Sequence, residues 1–119
     1  MTVTLDLFRN ETEGVEFASG QRIFSSGDAA DMMYVVLEGE VEISIRGKAV
    51  ETLGPGGVLG EMALIDHAPR TATATAATRC KLAGIPEKRF LFMLQQTPHF
   101  SLQIMRVIAE RLRRMDERL

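Results

Sequence analysis

Apolar and polar positions change rhythm once along the chain, at Pro86. Up to that point the apolar segments are short and separated by glycines at 14, 20, 27, 39, 47, 54, 56, 57, 60 and 84. Short apolar segments between regular turn residues predict many strands joined by turns, as in a sandwich or barrel. Val41-Glu42-Ile43-Ser44-Ile45-Arg46 alternates, which puts Val41, Ile43 and Ile45 on one face of a strand and Glu42, Ser44 and Arg46 on the other. Met32 to Leu37 is almost continuously apolar and predicts a strand covered on both faces. Arg70 to Ala77, rich in Thr and Ala, predicts another strand, and Arg79 to Pro86 one more. The pattern predicts about seven or eight strands over residues 13–86.

From Glu87 onward there is no glycine, and the apolar spacing becomes helical. Residues 87–96 predict a short helix carrying Phe90, Leu91 and Leu94. Thr97-Pro98 opens a second over 98–118, with Thr97 as N-cap and Pro98 in the first turn. Along it Met105, Ile108, Leu112, Met115 and Leu119 step by three and four, with Ile104 and Val107 widening the stripe. That spacing suits a helix laid on a barrel and equally a seam between two copies of the helix. All 119 residues are expected to form one domain.

Composition narrows the function classes. The chain is 45% hydrophobic and 25% charged, with a net charge of −2, so no broad electrostatic attraction to nucleic acid is expected, although Arg111-Leu112-Arg113-Arg114 is locally basic. Cys80 is the single cysteine, which excludes an intrachain disulfide and suits a reducing cytoplasm. The N-terminus does not read as a signal peptide, and no apolar run reaches the ~18 residues that would span a membrane. His67 and His99 are the only histidines, too few and too isolated for a metal-dependent jelly-roll enzyme. No Ser–His–Asp or Cys–His arrangement has a persuasive context. No catalysis, metal or cofactor is expected.

Residues 54–73, GPGGVLGEMALIDHAPRTAT, carry the candidate chemistry. Glycines ahead of a helix start let a ligand approach the backbone, and the first helical N–H groups lack intrahelical partners and favour an anion. Gly57 to Gly60 followed by Glu61 to Leu64 is arranged in that way, with free N–H groups at about Met62 and Ala63. Arg70 adds a fork suited to phosphate, provided that residues 66–69 loop back. Glu61 would repel a phosphate, so its natural partners are sugar hydroxyls. Together an acid and an arginine beside a helix start fit a sugar phosphate, each facing a different part of it.

The strings Gly60-Glu61-Met62-Ala63-Leu64-Ile65 and Pro69-Arg70-Thr71-Ala72-Thr73 closely resemble the phosphate-binding cassette of the cyclic-nucleotide-binding domain family. That family includes kinase regulatory subunits, channel sensors and bacterial catabolite activators. Phe24, Gly27, Tyr34-Val35-Val36 and Glu38-Gly39-Glu40-Val41 resemble its first hairpins, so the resemblance runs from about residue 13 to 118. Leu5 to Phe8 looks like a shortened form of its N-terminal helix.

The resemblance implies an eight-stranded jelly roll (a double-stranded β-helix), mainly β with flanking and C-terminal helices, that binds cAMP or cGMP. It implies that Glu61 accepts from the ribose 2′-hydroxyl and that Gly60, Met62 and Ala63 line the sugar phosphate through their backbone. Arg70 would pair with the exocyclic phosphate oxygens, and Thr71 and Ala72 would donate N–H groups. Val58 and Leu59 would pack on the purine. Arg111, or alternatively Met115 and Asp116, would meet the base from the last helix. Thr71 could favour a guanine and Asp116 an adenine; cAMP is the preferred expectation.

A non-enzymatic cytoplasmic sensor follows, with no DNA binding of its own and either a second copy or an effector protein as partner. The alternative is a regulatory or dimerising module of a larger transcription factor, channel or kinase, with ligand binding lost.

Overall fold

The computed structural model describes residues 13–118, with side chains as far as Arg114. The segment Leu5 to Phe8, read above as a helix remnant, lies outside the described residues. The strands are β1 (Val15–Phe17), β2 (Arg22–Phe24), β3 (Met32–Glu38), β4 (Val41–Ile45), β5 (Lys48–Leu53), β6 (Val58–Leu59), β7 (Thr73–Ala76) and β8 (Cys80–Pro86). The helices are α1 (Glu61–Asp66), α2 (Glu87–Gln96) and α3 (Pro98–Arg118). The strands form two four-stranded antiparallel sheets, ordered β1-β8-β3-β6 and β2-β7-β4-β5. This is the eight-stranded jelly roll with C-terminal helices.

β3 is covered on both faces, which accounts for its unbroken apolar sequence. Met33 and Val35 face a cluster with Val58, Leu64, Ala83, Ile85, Phe90, Phe100, Ile104 and Val107, which ties the first sheet to the helices. Val36 joins Val41, Leu53, Leu59, Ala74, Ala76, Cys80 and Leu82 between the sheets, with Tyr34 packed against them. Cys80 serves there as a small apolar residue, and burial pushes its thiol pKa up. Fully burying each large side chain contributes about 1.5–3 kcal/mol.

β4 departs from its simple alternation. Val41 is buried and Ile43 half-buried, but Ile45 is exposed. The strand is irregular between Ile43 and Ser44 and runs out into the turn to β5, where Ile45 pairs with Lys48. Arg46 and Gly47 fill that turn with φ of 54° and 78°. A two-residue turn with both φ positive matches the twist of a hairpin, and glycine adopts it without strain.

α2 and α3 have the expected limits because Thr97 and Pro98 separate them. Thr97 N–H closes α2 on the Met93 carbonyl, and the Thr97 carbonyl then accepts from Phe100 and Ser101. On α2, Phe90 is buried, Leu94 packs partly against the core, and Leu91 is exposed. On α3 the stripe of Met105, Ile108 and Leu112 is not the face laid on the barrel. Phe100, Ile104 and Val107 form the buried stripe, with Ile108 at its border, whereas Met105 and Leu112 are exposed. The residues read as widening the seam are those that bind the helix to the sheet. No helix among the described residues is long and apolar enough to cross a membrane.

Candidate functional site

The site forms where β6 runs into α1. β6 pairs with β3 through Tyr34↔Leu59 and Val35↔Val58, so the chain leaves it beside the start of β3. Gly60 caps α1 with φ 83° and ψ 6°. A Cβ on Gly60 would stand 2.3 Å from Nη1 of Arg70 and 3.3 Å from the Met32 carbonyl oxygen. Gly60→Ala is therefore expected to lower stability by about 1–2 kcal/mol through left-handed strain alone, and to push the Arg70 guanidinium aside. Thermal melting checks the first effect.

Arg70 lies just ahead of β7 rather than on it, since the strand begins at Thr73. Its backbone is pinned to the β2–β3 loop: Arg70 N–H donates to the Asp28 carbonyl at 2.9 Å, and Gly27 N–H donates to the Arg70 carbonyl at 2.7 Å. That loop is braced by Ser25 N–H on Asp28 Oδ2 and by Ser26 N–H on Thr73 Oγ1. The guanidinium returns to Gly60, as the loop reading requires. Nη1 donates to the Gly60 carbonyl at 3.0 Å, and Nη2 donates to the Met32 carbonyl.

Its carbon lies 4.1 Å from the centroid of the Phe24 ring, a cation–π contact, and Phe24 stacks on Tyr34. Nε is buried and has no hydrogen-bond partner among the described residues. Burial pulls the Arg70 pKa down, against the opposing pull of Tyr34, Asp31 and Asp28.

Glu61 is 0% exposed in the first turn of α1. Its Oε1 is in ion-pair contact with Nη1 of Arg111 on α3, without an aligned hydrogen bond, and among the described residues Oε2 has no hydrogen-bond partner. Arg111 Nη2 also donates to the Val58 carbonyl. Burial lowers the Arg111 pKa, Glu51 raises it and Arg114 lowers it further. Glu61 and Arg70 thus stay apart from one another, each engaged elsewhere.

Around them, Ala63 is buried, and Met62 and Thr71 are exposed. Val58 and Leu59 are both 1% exposed but belong to different clusters, Val58 on the helix side and Leu59 between the sheets. Neighbours on one strand face opposite ways, so the two cannot flank one ligand from the same side. The side chains of Met115 and Asp116 lie outside those described. Sequence reasoning missed Phe24 as a platform for Arg70, the carbonyl of Met32 as its acceptor, and Asp28 as its backbone partner. Phe24 and Gly27 were legible only as parts of a hairpin.

A cyclic nucleotide-binding domain model matches residues 14–97. A CRP-like cAMP-activated global transcriptional regulator of Mycobacterium tuberculosis is 29% identical over 114 residues, which cover 92% of this chain and 51% of the regulator. A cAMP-dependent protein kinase regulatory subunit of Eremothecium gossypii is 38% identical over 81 residues, covering 68% of this chain and 18% of the subunit. Among solved structures, the catabolite activator protein of Thermus thermophilus superposes with a TM-score of 0.82 at 28% identity, over 95% of this chain and 55% of that one. The chain therefore spans about half or less of the length of these relatives. With a jelly roll, a glycine-capped α1, and Glu61 and Arg70 buried beside it, the chain belongs to the cyclic nucleotide-binding domain family.

Proposed function

We propose that the chain binds one cyclic nucleotide, cAMP in preference to cGMP, performs no chemistry on it, and shifts its C-terminal helices in response. The observation that carries this reading is a pair of buried, incompletely partnered groups flanking Gly60: Oε2 of Glu61 and Nε of Arg70. Buried polar atoms without partners are uncommon in folded proteins, and a ligand with complementary groups would satisfy them. Glu61 accepts from the ribose 2′-hydroxyl. Arg70 faces the phosphate, and the backbone of Gly60, Met62, Ala63, Thr71 and Ala72 lines the sugar phosphate. The names of the bacterial regulator and the fungal subunit point to cAMP.

The response runs through Gln96-Thr97-Pro98, where α2 ends and α3 begins. A shift there can be no larger than the difference in ligand affinity between the two arrangements. At a hundredfold excess over its Kd, a nucleotide that binds only the folded state stabilises it by about 2.7 kcal/mol. A rise in melting temperature with cAMP, smaller with cGMP and absent with adenosine, is the expected result. No rise with either cyclic nucleotide counts against the reading.

The coverage of the relatives supports a wider role, in which this domain regulates a larger transcription factor, channel or kinase. Its partner is then an effector, or a second copy seated on α3. Met105 and Leu112, 59% and 55% exposed, lie one heptad apart. Light scattering should give a dimer mass that Met105→Glu reduces to the monomer; a monomer throughout removes the seam.

A further inference from the structure

Phe24 reaches the inside of the roll through an irregularity in β2. Arg22 pairs with Thr75 of β7 and Phe24 with Ala74, so two steps on β2 match one step on β7. In an unbroken ladder Phe24 would stand opposite Thr73, on the outward face that Thr75 shares with exposed Arg22 and Glu42. The extra residue turns Phe24 opposite Ala74, which is 0% exposed. Ile23 and Phe24 then both pack against the cluster between the sheets.

The ring so placed carries Arg70. The guanidinium carbon lies 4.1 Å from its centroid, and the ring itself stacks on Tyr34 with centroids 6.3 Å apart and planes at 25°. Nη1 and Nη2 are held by the carbonyls of Gly60 and Met32, and the Arg70 backbone by Gly27 and Asp28, in the loop that follows Phe24. Two carbonyls thus fix the guanidinium at its edge and one aromatic ring fixes it on a face. Nε, buried and without a hydrogen-bond partner among the described residues, is left for a ligand.

We propose that Phe24 is a positioning residue for the phosphate: its ring holds the Arg70 guanidinium, before any nucleotide arrives, in the pose that receives the phosphate. The proposal rests on the cyclic-nucleotide reading of the site. The hold is electrostatic, because the negative face of the ring attracts the cation, and it strengthens where the ring keeps water from that side of the charge. Leucine of similar bulk would exclude water but would not attract the cation. Molecules in which Arg70 has swung away cannot take the phosphate, so the observed Kd is the intrinsic one divided by the fraction with Arg70 in place. Loss of the ring therefore weakens binding by no more than the strength of the contact itself.

Calorimetric titration of cAMP into the wild-type chain, into chains with a trifluorinated or pentafluorinated phenylalanine at Phe24, and into Phe24→Leu tests this, each protein shown to be folded by its melting curve. Fluorine withdraws charge from the face of the ring at almost constant shape. Affinity should fall stepwise, with the pentafluorinated ring and leucine each about two- to thirty-fold weaker than wild type. In NMR spectra of the ligand-free chain, the Arg70 Nε–H signal should exchange with water faster at each step. A ring that only fills space would leave both readouts flat across the fluorinated series.

Equal affinity across that series, or Phe24→Leu binding as tightly as wild type, overturns the positioning role and leaves the site reading standing. Failure of every protein, wild type included, to bind either cyclic nucleotide overturns the site reading and the positioning role with it.

Discussion

Arg70→Ala is expected to weaken binding of a cyclic nucleotide by about thirty-fold to several thousand-fold, corresponding to about 2–5 kcal/mol. The magnitude follows from leaving a desolvated phosphate without its cationic partner. The same substitution affects the ligand-free chain, because the Arg70 guanidinium donates to the carbonyls of Gly60 and Met32 and lies on Phe24. Removing it strands those acceptors and empties the face of the ring, so the melting temperature should also fall.

Arg70→Lys separates the two effects. It keeps the charge but not the planar fork, so it should recover part of the affinity while still lacking one of the two carbonyl bonds. Titration calorimetry on the three proteins, each shown to be folded at the working temperature, checks the order wild type, lysine, alanine. Alanine binding as tightly as wild type would remove Arg70 from the phosphate.

Phe100→Ala should produce the largest loss of stability, about 3–5 kcal/mol in urea unfolding. Phe100 is 0% exposed and meets Phe90 edge to face, with ring centroids 5.9 Å apart and planes at 77°. It lies in the cluster that contains Met33, Val35 and Ile85 of the first sheet, so it anchors the start of α3 there. A loss of that size is a large fraction of the 5–15 kcal/mol typical of a domain. Because α3 carries Arg111, the cavity should also weaken the ion pair between Arg111 and Glu61. A loss below about 1 kcal/mol would mean that α3 is held by its charges instead.

How much of this was legible in the sequence depended on whether a feature was local. The limits of α2 and α3 follow from Thr97-Pro98, and the double burial of β3 from its unbroken apolar run; both are read from a few adjacent residues. The heptad on α3 left the sheet-facing side undecided, because Met105 and Leu112 share the 3.5-residue spacing with true core positions. Only contact with the sheet distinguishes Phe100, Ile104 and Val107 from them. At the site, Glu61, Gly60 and Arg70 were recognisable as a motif. Their present partners were not: Met32, Phe24 and Arg111 come from distant parts of the chain, and periodicity carries no record of which loops a jelly roll brings together. The resemblance implies Val58 and Leu59 together on the purine, whereas as neighbours on a strand they face opposite sides.

The central claim is that the groups around Gly60 form a cyclic-nucleotide site. Titration of the wild-type chain with cAMP, followed by cGMP, in a calorimeter tests it most directly. The account predicts saturable binding of one nucleotide per chain, tighter for cAMP and lost or strongly weakened in Arg70→Ala. Absence of binding heat, together with an unchanged melting temperature in both nucleotides, would contradict it.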